Sequence, residues 1–573
     1  MNNADLLAQN IYDAPPPFWR RHAGVLSALA VFFSTALLTV LAFPPSSVPE
    51  LAYAFAAPAA LWAYRSPSWR LYAGVVLGAQ AVAWSVLLSW LHHVTWLGLF
   101  LLGPFIGVWV GSWFLAARWL MPRLVGHSAL TRISAVFGLA ALWVVIEWTR
   151  TWVLSGFPWL PLAASQWQRA SILQIAAYTG AGGVSFVLIA MNLGFAAYAH
   201  RLFFEGAKGL RRRSQEFFAA MFLLIVCLSI HVQETFNRGQ FAVPLARVAF
   251  VQPNIPQAVK WDPAQAPGIL EVLERTTLTA ASRRPDVILW PEAVTPLALK
   301  GDPGVRNWTE SLVRRARAPL VLGSIAIEQP DQPDEAWYNA AFTVTPDSGV
   351  VPAYYAKRRL VPFGEFVPLR PLLGWLDKFV PIGGDFQRGI DPAPLLVPVG
   401  DNTQALGPLI CYEDIFPRLA RESAAAGADA LLVLTNNGWF GEGGAAYQHA
   451  AHSVLRAIET RRPVLRCGNA GWSGWIDEFG AVRAVLQRVQ REAETGAVRD
   501  VASVNPEDEG TIYFRGSGIA EVTRDHRWAG RQSFYVQHGD WFVLVSAVLA
   551  VFGYYAIMFA RPTERPEEAA EAS

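Results

Sequence analysis

A multi-span α-helical membrane domain carrying one α/β layered domain is the fold class that the chain predicts, and three observations predict it. The composition is 53% apolar, with 24 tryptophans and only 16% charged residues in 573 positions, which departs from the balance of a soluble protein. Apolar runs of about 20 residues, enough to cross roughly 30 Å of hydrocarbon, crowd the chain before residue 235 and return once beyond 540. Between them the periodicity changes to short β-rich runs separated by helical patterns, the alternation that builds layered α/β domains.

Seven spans are expected before residue 235, at 24–43, 48–64, 71–91, 95–117, 133–153, 177–200 and 216–233, and an eighth at 541–560. The second is short. The sixth holds Gly180, Gly182, Gly183 and Ser185, small residues that suit close helix packing; no strand precedes them, so they form no dinucleotide fingerprint. Basic residues flank alternate loops: Arg20 and Arg21 before the first span, Arg65 and Arg70 after the second, Arg118, Arg123 and Arg132 after the fourth, and Arg201, Lys208, Arg211, Arg212 and Arg213 after the sixth. Such loops stay cytoplasmic. The expected organisation is therefore a transmembrane domain 1–235 starting in the cytoplasm, an extracytoplasmic block 236–535, and a last span with a cytoplasmic tail, 536–573. The first span is read as retained, because no cleavage site follows its apolar run.

Within the external block, strands are expected at 247–252, 287–290, 320–327, 340–344, 406–412, 430–435 and 464–467, with helices at 268–282, 303–317 and 445–461. The charged stretch near 483–517 reads as an insertion exposed to water. A formal charge of +2, with no basic stripe, argues against a nucleic-acid partner. The three cysteines, Cys227, Cys411 and Cys467, form no disulfide framework. His449 and His452 lie three apart but lack a third ligand at metal spacing, and the chemistry below requires neither a metal nor another cofactor.

Cys411, in Leu409-Ile410-Cys411-Tyr412-Glu413-Asp414, is the candidate nucleophile. A thiol with a reference pKa of about 8.5 is mostly protonated at neutral pH, so covalent chemistry needs a carboxylate to take the proton and a cation to favour the charged forms. Glu292, behind Pro291 at the end of an apolar strand, and Lys357, after Tyr354-Tyr355-Ala356, supply them. Singly, each has an ordinary reading: a carboxylate at a turn, a basic patch near a membrane, a structural thiol.

Together, in the order Glu292, Lys357, Cys411, with Trp290-Pro291-Glu292 and Cys411-Tyr412-Glu413, they resemble the nitrilase superfamily, whose Glu-Lys-Cys triad forms a thioester with the acyl group. Longer stretches resemble the apolipoprotein N-acyltransferase family: Val251-Gln252-Pro253-Asn254-Ile255-Pro256-Gln257, Val361-Pro362-Phe363-Gly364-Glu365-Phe366-Val367-Pro368, Asn436-Asn437-Gly438-Trp439-Phe440 and Ser155-Gly156-Phe157-Pro158-Trp159. The eight-span layout is similar too. The resemblance covers about residues 20–480 and resumes near 535–541; the insertion near 483–517 and Asp414-Ile415 depart from it.

That resemblance implies a nitrilase-like α-β-β-α sandwich in which Glu292 is the general base, Lys357 stabilises the oxyanion, Cys411 is the nucleophile and Glu365 supports them. It further implies that Trp261, Tyr412, Glu413, Trp439 and Phe440 shape the acyl entrance. The implied reaction takes a fatty acyl chain from a membrane phospholipid to the N-terminal amine of a diacylglyceryl-cysteine lipoprotein, in the inner membrane of a bacterium with the catalytic block on the periplasmic side. A membrane-anchored amidase using water as acceptor, or a transporter or scaffold with an idle domain, are the alternatives; eight spans exceed an anchor, and Glu147 is the one clear charged candidate within the spans.

Overall fold

A computed structural model describes residues 22–205, 213–236, 238–260, 262–367, 370–374, 386–492 and 498–562. The membrane domain begins with α1 (Ala23–Ala42), α2 (Ala57–Tyr64), α3 (Trp69–Leu87), α4 (Trp96–Gly111), α5 (Trp113–Leu120), α6 (Ala129–Thr149), α7 (Ala181–Phe203) and α8 (Gln215–Thr235). Among the described residues seven helices are long and apolar enough to cross a membrane: α1, α3, the continuous α4–α5 stretch to Leu124, α6, α7, α8 and a last helix, Trp541–Phe559.

The stretch 48–64 is not the single helix expected. It is a 3₁₀ turn, Pro49–Tyr53, followed by α2, and its prolines, Pro49 and Pro58, sit at the starts of those two pieces, where a missing N–H is tolerated. A break among packed apolar helices leaves backbone groups without partners. Asn192 of α7 fills the need: its side chain accepts from Ala56 N–H at 2.7 Å and donates to Ala52 O at 2.8 Å.

The broken stretch still covers the thickness of the domain. Gln448 Nε2 donates to Pro44 O at 3.0 Å and Leu87 O at 2.9 Å, so the C-terminal ends of α1 and α3 lie at one level. Arg118, at the end of α5, donates to Pro67 O at 2.6 Å, beside the start of α3. Residues 45–67 therefore retrace the length of α3, about 28 Å for its turns. The same Gln448 accepts through Oε1 from the indoles of Trp90 at 3.1 Å and Trp159 at 2.9 Å.

The rest of the chain is a two-sheet sandwich. One sheet comprises β1 (Ala242–Gln252), β2 (Val287–Leu289), β3 (Leu320–Glu328), β4 (Ala336–Thr345) and β5 (Gly349–Ala356). The other comprises β6 (Leu395–Val399), β7 (Asn402–Ile410), β8 (Ala430–Thr435), β9 (Val464–Gly468), β10 (Gly474–Ile476) and β11 (Val482–Val485). A ribbon, β12 (Gln487–Glu492) and β13 (Val498–Ser503), occupies much of the charged insertion, and β14 (Gly516–Asp525) returns to pair antiparallel with β1. The orders are β14-β1-β2-β3-β4-β5 and β11-β10-β9-β8-β7-β6, with parallel pairing at β1–β2–β3 and β7–β8–β9.

Strand alternation builds the layers. In β8, Leu432 and Leu434 face the other sheet with Phe250, Leu289 and Ile410, whereas Leu431 and Val433 face outward onto helices. Helices α9 (Ala266–Ala281) and α10 (Pro303–Ala316) cover the first sheet through Leu273 and Leu312. Helices α11 (Pro417–Ala425) and α12 (Ala445–Thr460) cover the second, and their buried residues, Ala420, Val454 and Leu455, share one apolar cluster with the membrane helices. The last helix, α13 (Trp541–Phe559), returns beside α6.

Candidate active site

Three strand ends place the candidate groups. β2 leads through Trp290 and Pro291 to Glu292, β5 runs directly into Lys357, and β7 ends at Ile410 so that Cys411 opens the following turn. Glu292 lies against β3 because residue 323 is glycine: a Cβ there would come within 2.6 Å of Glu292 Cα and 2.7 Å of Pro291 O. Gly323 N–H instead donates to Pro291 O at 3.1 Å and its carbonyl accepts from Val294 at 3.0 Å. Cys411 has φ +51°, a left-handed backbone uncommon for a residue with a side chain and held here by surrounding bonds. Its carbonyl accepts from His449 Nε2 at 3.1 Å; burial, then the nearby Arg466 guanidinium, keep that imidazole neutral.

Glu413 is one such brace. Its Oε1 accepts from the backbone N–H groups of Arg358 at 2.6 Å and Arg359 at 2.9 Å, and its Oε2 from Ile410 N–H at 2.7 Å and Tyr355 Oη–H at 2.9 Å. One buried carboxylate thus ties the turn carrying Cys411 to the segment carrying Lys357. Expected at an acyl entrance, Glu413 is instead enclosed, because the 3₁₀ turn Cys411–Ile415 directs it inward. Asp414, equally buried, pairs with Arg466 of β9 at 2.9 Å and accepts from Ser453 at 2.6 Å.

Lys357 stands between two carboxylates, with Nζ 3.0 Å from Glu292 Oε1 and 2.9 Å from Glu365 Oε1. Asn339 Nδ2 donates to the same two oxygens at 2.9 and 2.8 Å. Both donors engage Oε1 of Glu292, which leaves Oε2 as the oxygen to take a proton. Glu365 Oε2 is fixed by Val361 N–H at 2.9 Å. A second buried ammonium, Lys260, donates to the Glu292 carbonyl at 3.3 Å.

The charges divide the roles. Burial pushes the Glu292 carboxyl up, but the Lys357 and Lys260 ammoniums prevail and hold it below the usual carboxylate range, so it rests as a base. Burial opposes the Lys357 charge; Glu292 and Glu365 outweigh it and keep the ammonium protonated well above its ordinary range. Burial lowers Lys260 to about 8, against the pull of Glu292 and Cys411. Burial, reinforced by Glu292, pushes the Cys411 thiol up to about 12, opposed by Lys357, the Thr435 hydroxyl and the Asn436 amide. Cys411 therefore rests as a thiol, and nucleophilic chemistry at this sulfur would require its proton to leave on attack.

Tyr412 is buried, its hydroxyl donating to Gly156 O at 2.7 Å in the loop between α6 and α7. Trp439 is 47% exposed. Phe440 packs against the Trp90 ring at 4.5 Å and the Trp159 ring at 6.3 Å. Trp261 lies outside the described residues. Sequence reasoning missed Asn339, Lys260 and Thr435. Asn339 had a signal, a lone amide opening the otherwise apolar run of β4; for Lys260 only burial distinguishes it from a surface lysine. Cys467 is a packing thiol, its Sγ 3.4 Å from the carbonyls of Val251 and Leu289.

Residues 35–194 match the family model for the apolipoprotein N-acyltransferase N-terminal domain, and 247–521 match that for carbon-nitrogen hydrolases. The apolipoprotein N-acyltransferase of Geobacter metallireducens is 32% identical over 479 residues, covering 81% of this chain and 88% of its own. The chain belongs to the apolipoprotein N-acyltransferase family. A second relative of that name, from Methylococcus capsulatus, is 35% identical over 392 residues, covering 68% and 73%. An amidase from Nesterenkonia sp. aligns with a TM-score of 0.32 at 18% identity, over 46% of this chain and 92% of that one. As an apolipoprotein N-acyltransferase the chain is a multi-pass membrane acyltransferase, and its second domain is the nitrilase-like α-β-β-α sandwich that the sequence led one to expect.

Proposed function

We propose that Cys411, Glu292 and Lys357 carry out a two-step acyl transfer from a membrane phospholipid to the N-terminal amine of a diacylglyceryl-cysteine lipoprotein. The observation that supports it best is the pairing of a carboxylate base with a permanently charged ammonium beside a buried thiol. In the first step the Cys411 proton passes to Glu292 Oε2 while sulfur attacks the ester carbonyl, and Lys357 Nζ faces the negative charge that develops on its oxygen. Collapse expels the glycerol oxygen, which takes the proton from Glu292 and leaves as lysophospholipid; the acyl chain remains as a thioester. In the second, the amine nitrogen attacks the thioester, gives a proton to Glu292 and forms the amide, and the thiolate leaves and recovers that proton. Glu365 and Asn339 hold Lys357 and Glu292 in register. Both substrates carry hydrocarbon chains, and drawing these into water costs about 0.8 kcal/mol per CH₂, which favours a reaction at the bilayer.

Purified protein from membranes should carry a fatty acyl adduct on Cys411, released by neutral hydroxylamine and lost on incubation with a diacylglyceryl peptide; intact-mass and peptide mass spectrometry check this. An adduct absent from Cys411 after incubation with phospholipid would overturn the assignment. Release to free acid as fast as to peptide would favour the amidase reading.

The catalytic sandwich would face the periplasm across the inner membrane. Supporting this are the basic loops and seven traverses before residue 236, counting the broken stretch through α2. In a Cys411→Ser background, Ala502→Cys on the ribbon should react with a membrane-impermeant maleimide in spheroplasts, and Arg213→Cys only after permeabilisation. The opposite pattern would place the site in the cytoplasm.

A further inference from the structure

Behind the loop that bears Gly156, at the junction of the two domains, lies a cavity of about 950 Å³, a size that houses ligands. Its membrane-side wall is the end of α6, with Val144 and Trp148, and the start of α13, with Val543. The opposite wall carries Arg358, Arg359 and Arg418. Glu292, Lys357, Glu365 and Cys411 are not part of its lining. Of the loop, Ser155, Pro158 and Pro161 line the cavity, while Gly156 holds Tyr412 and Trp159 packs on Phe440.

The lining holds five arginines against three carboxylates, Glu147, Glu422 and Asp540. Glu422 is shared, 2.7 Å from Arg358 Nη1 and 2.7 Å from Arg418 Nε. Asp540 accepts from the Trp148 indole at 3.1 Å and from the Tyr535 hydroxyl at 3.1 Å. Arg359 has no carboxylate partner among the described residues; its guanidinium donates to Ser155 O and lies 4.8 Å from the Phe416 ring. Arg150 donates to the carbonyls Phe157 O at 3.3 Å and Trp159 O and lies 4.7 Å from the Trp84 ring, with Glu147 as its nearby opposite charge; its buried Nε is left unbonded. Arg456 is paired with Glu459 at 2.8 Å; the positive charge left over, at Arg359 and Arg418, faces the end of α6 and the start of α13 across the cavity, the level at which apolar spans meet water and lipid phosphates lie. Trp152, 53% exposed, marks the same level at the rim.

We propose that this cavity is a second phospholipid site, distinct from the thiol, in which the phosphodiester sits against Arg359 and Arg418 and the acyl chains run along the α6–α13 face. A guanidinium fork suits a phosphate, and the apolar residues below it suit the chains. The lipid held there does not react; it fills the junction.

Full-length protein in detergent, incubated with a phosphatidylglycerol carrying a diazirine in its acyl chain, should crosslink within residues 144–152 and 541–548 in both wild type and Cys411→Ser. Arg418→Gln, a change at an exposed side chain that leaves the core intact, should weaken this labelling, and Arg359→Gln with Arg418→Gln should reduce it at least about fivefold. Labelling confined to peptides around Trp439, or unchanged in the double variant, would overturn the site. Competition by inorganic phosphate as effective as by unlabelled lipid would assign the site to a free anion and overturn the lipid. Because the assay is read in Cys411→Ser, its failure is independent of whether Cys411 is the nucleophile.

Discussion

Cys411→Ser is expected to lower N-acylation of a diacylglyceryl peptide by at least about 10³-fold, since removing the nucleophile of a covalent mechanism removes the intermediate. The structure makes the substitution severe. A thiol already held up to about 12 by burial yields its proton with difficulty, and a serine hydroxyl in the same enclosure, before the same carboxylate, yields it far less readily. Turnover would be followed in detergent with added phospholipid, by a mobility shift of the peptide. Activity within tenfold of wild type would remove Cys411 from the mechanism. Cys467→Ser serves as the control, expected to remain active, because carbonyls and not a base surround that sulfur.

Glu292→Gln and Lys357→Ala are expected to abolish formation of the acyl-enzyme itself, each by about 10²–10⁴-fold, since proton removal and oxyanion stabilisation both belong to the first step. Single-turnover mass spectrometry of the Cys411 adduct reads this step alone, and an adduct formed at the wild-type rate would release that residue from its role. The pH dependence has a defined sign. Glu292 rests below the usual carboxylate range, so wild-type acylation should persist as pH falls and fail only once that carboxylate is protonated. Lys357→Ala removes the ammonium that chiefly offsets the burial of Glu292, leaving burial to raise that carboxyl; whatever acylation remains should then require a higher pH. A residual rate that rises toward acid would contradict Glu292 as the base.

Much of this architecture was legible in the sequence, and the exceptions have physical causes. Strand β8 and the second half of β7 are buried on both faces, so they read as apolar runs. Strands β10 to β13 are short or polar, and β14 pairs with a strand more than two hundred residues earlier in the chain. Span lengths were readable from hydropathy, but the break at 54–56 was not, because its remedy is Asn192, far along the chain. Cys411, Glu292 and Lys357 stand in recognisable motifs. Asn339 and Lys260 do not, since a lone amide or ammonium gains meaning only from the carboxylates that folding brings to it. Glu413, which the family resemblance put at the acyl entrance, lies two residues past Cys411, points into the protein and braces the site from behind.

Gln448 has a wider consequence. One amide group, with both donors and both acceptor positions in use, joins the ends of two membrane helices to two indoles of the membrane loops, and it projects from α12, the helix that also packs under β9. The outer coat of the second sheet is thus the inner face of the membrane domain. Among the described residues, the two folds share this apolar packing instead of meeting across a separable polar seam. The membrane helices and the strands that carry the site thus share one apolar core, so a change in either domain is felt in the other.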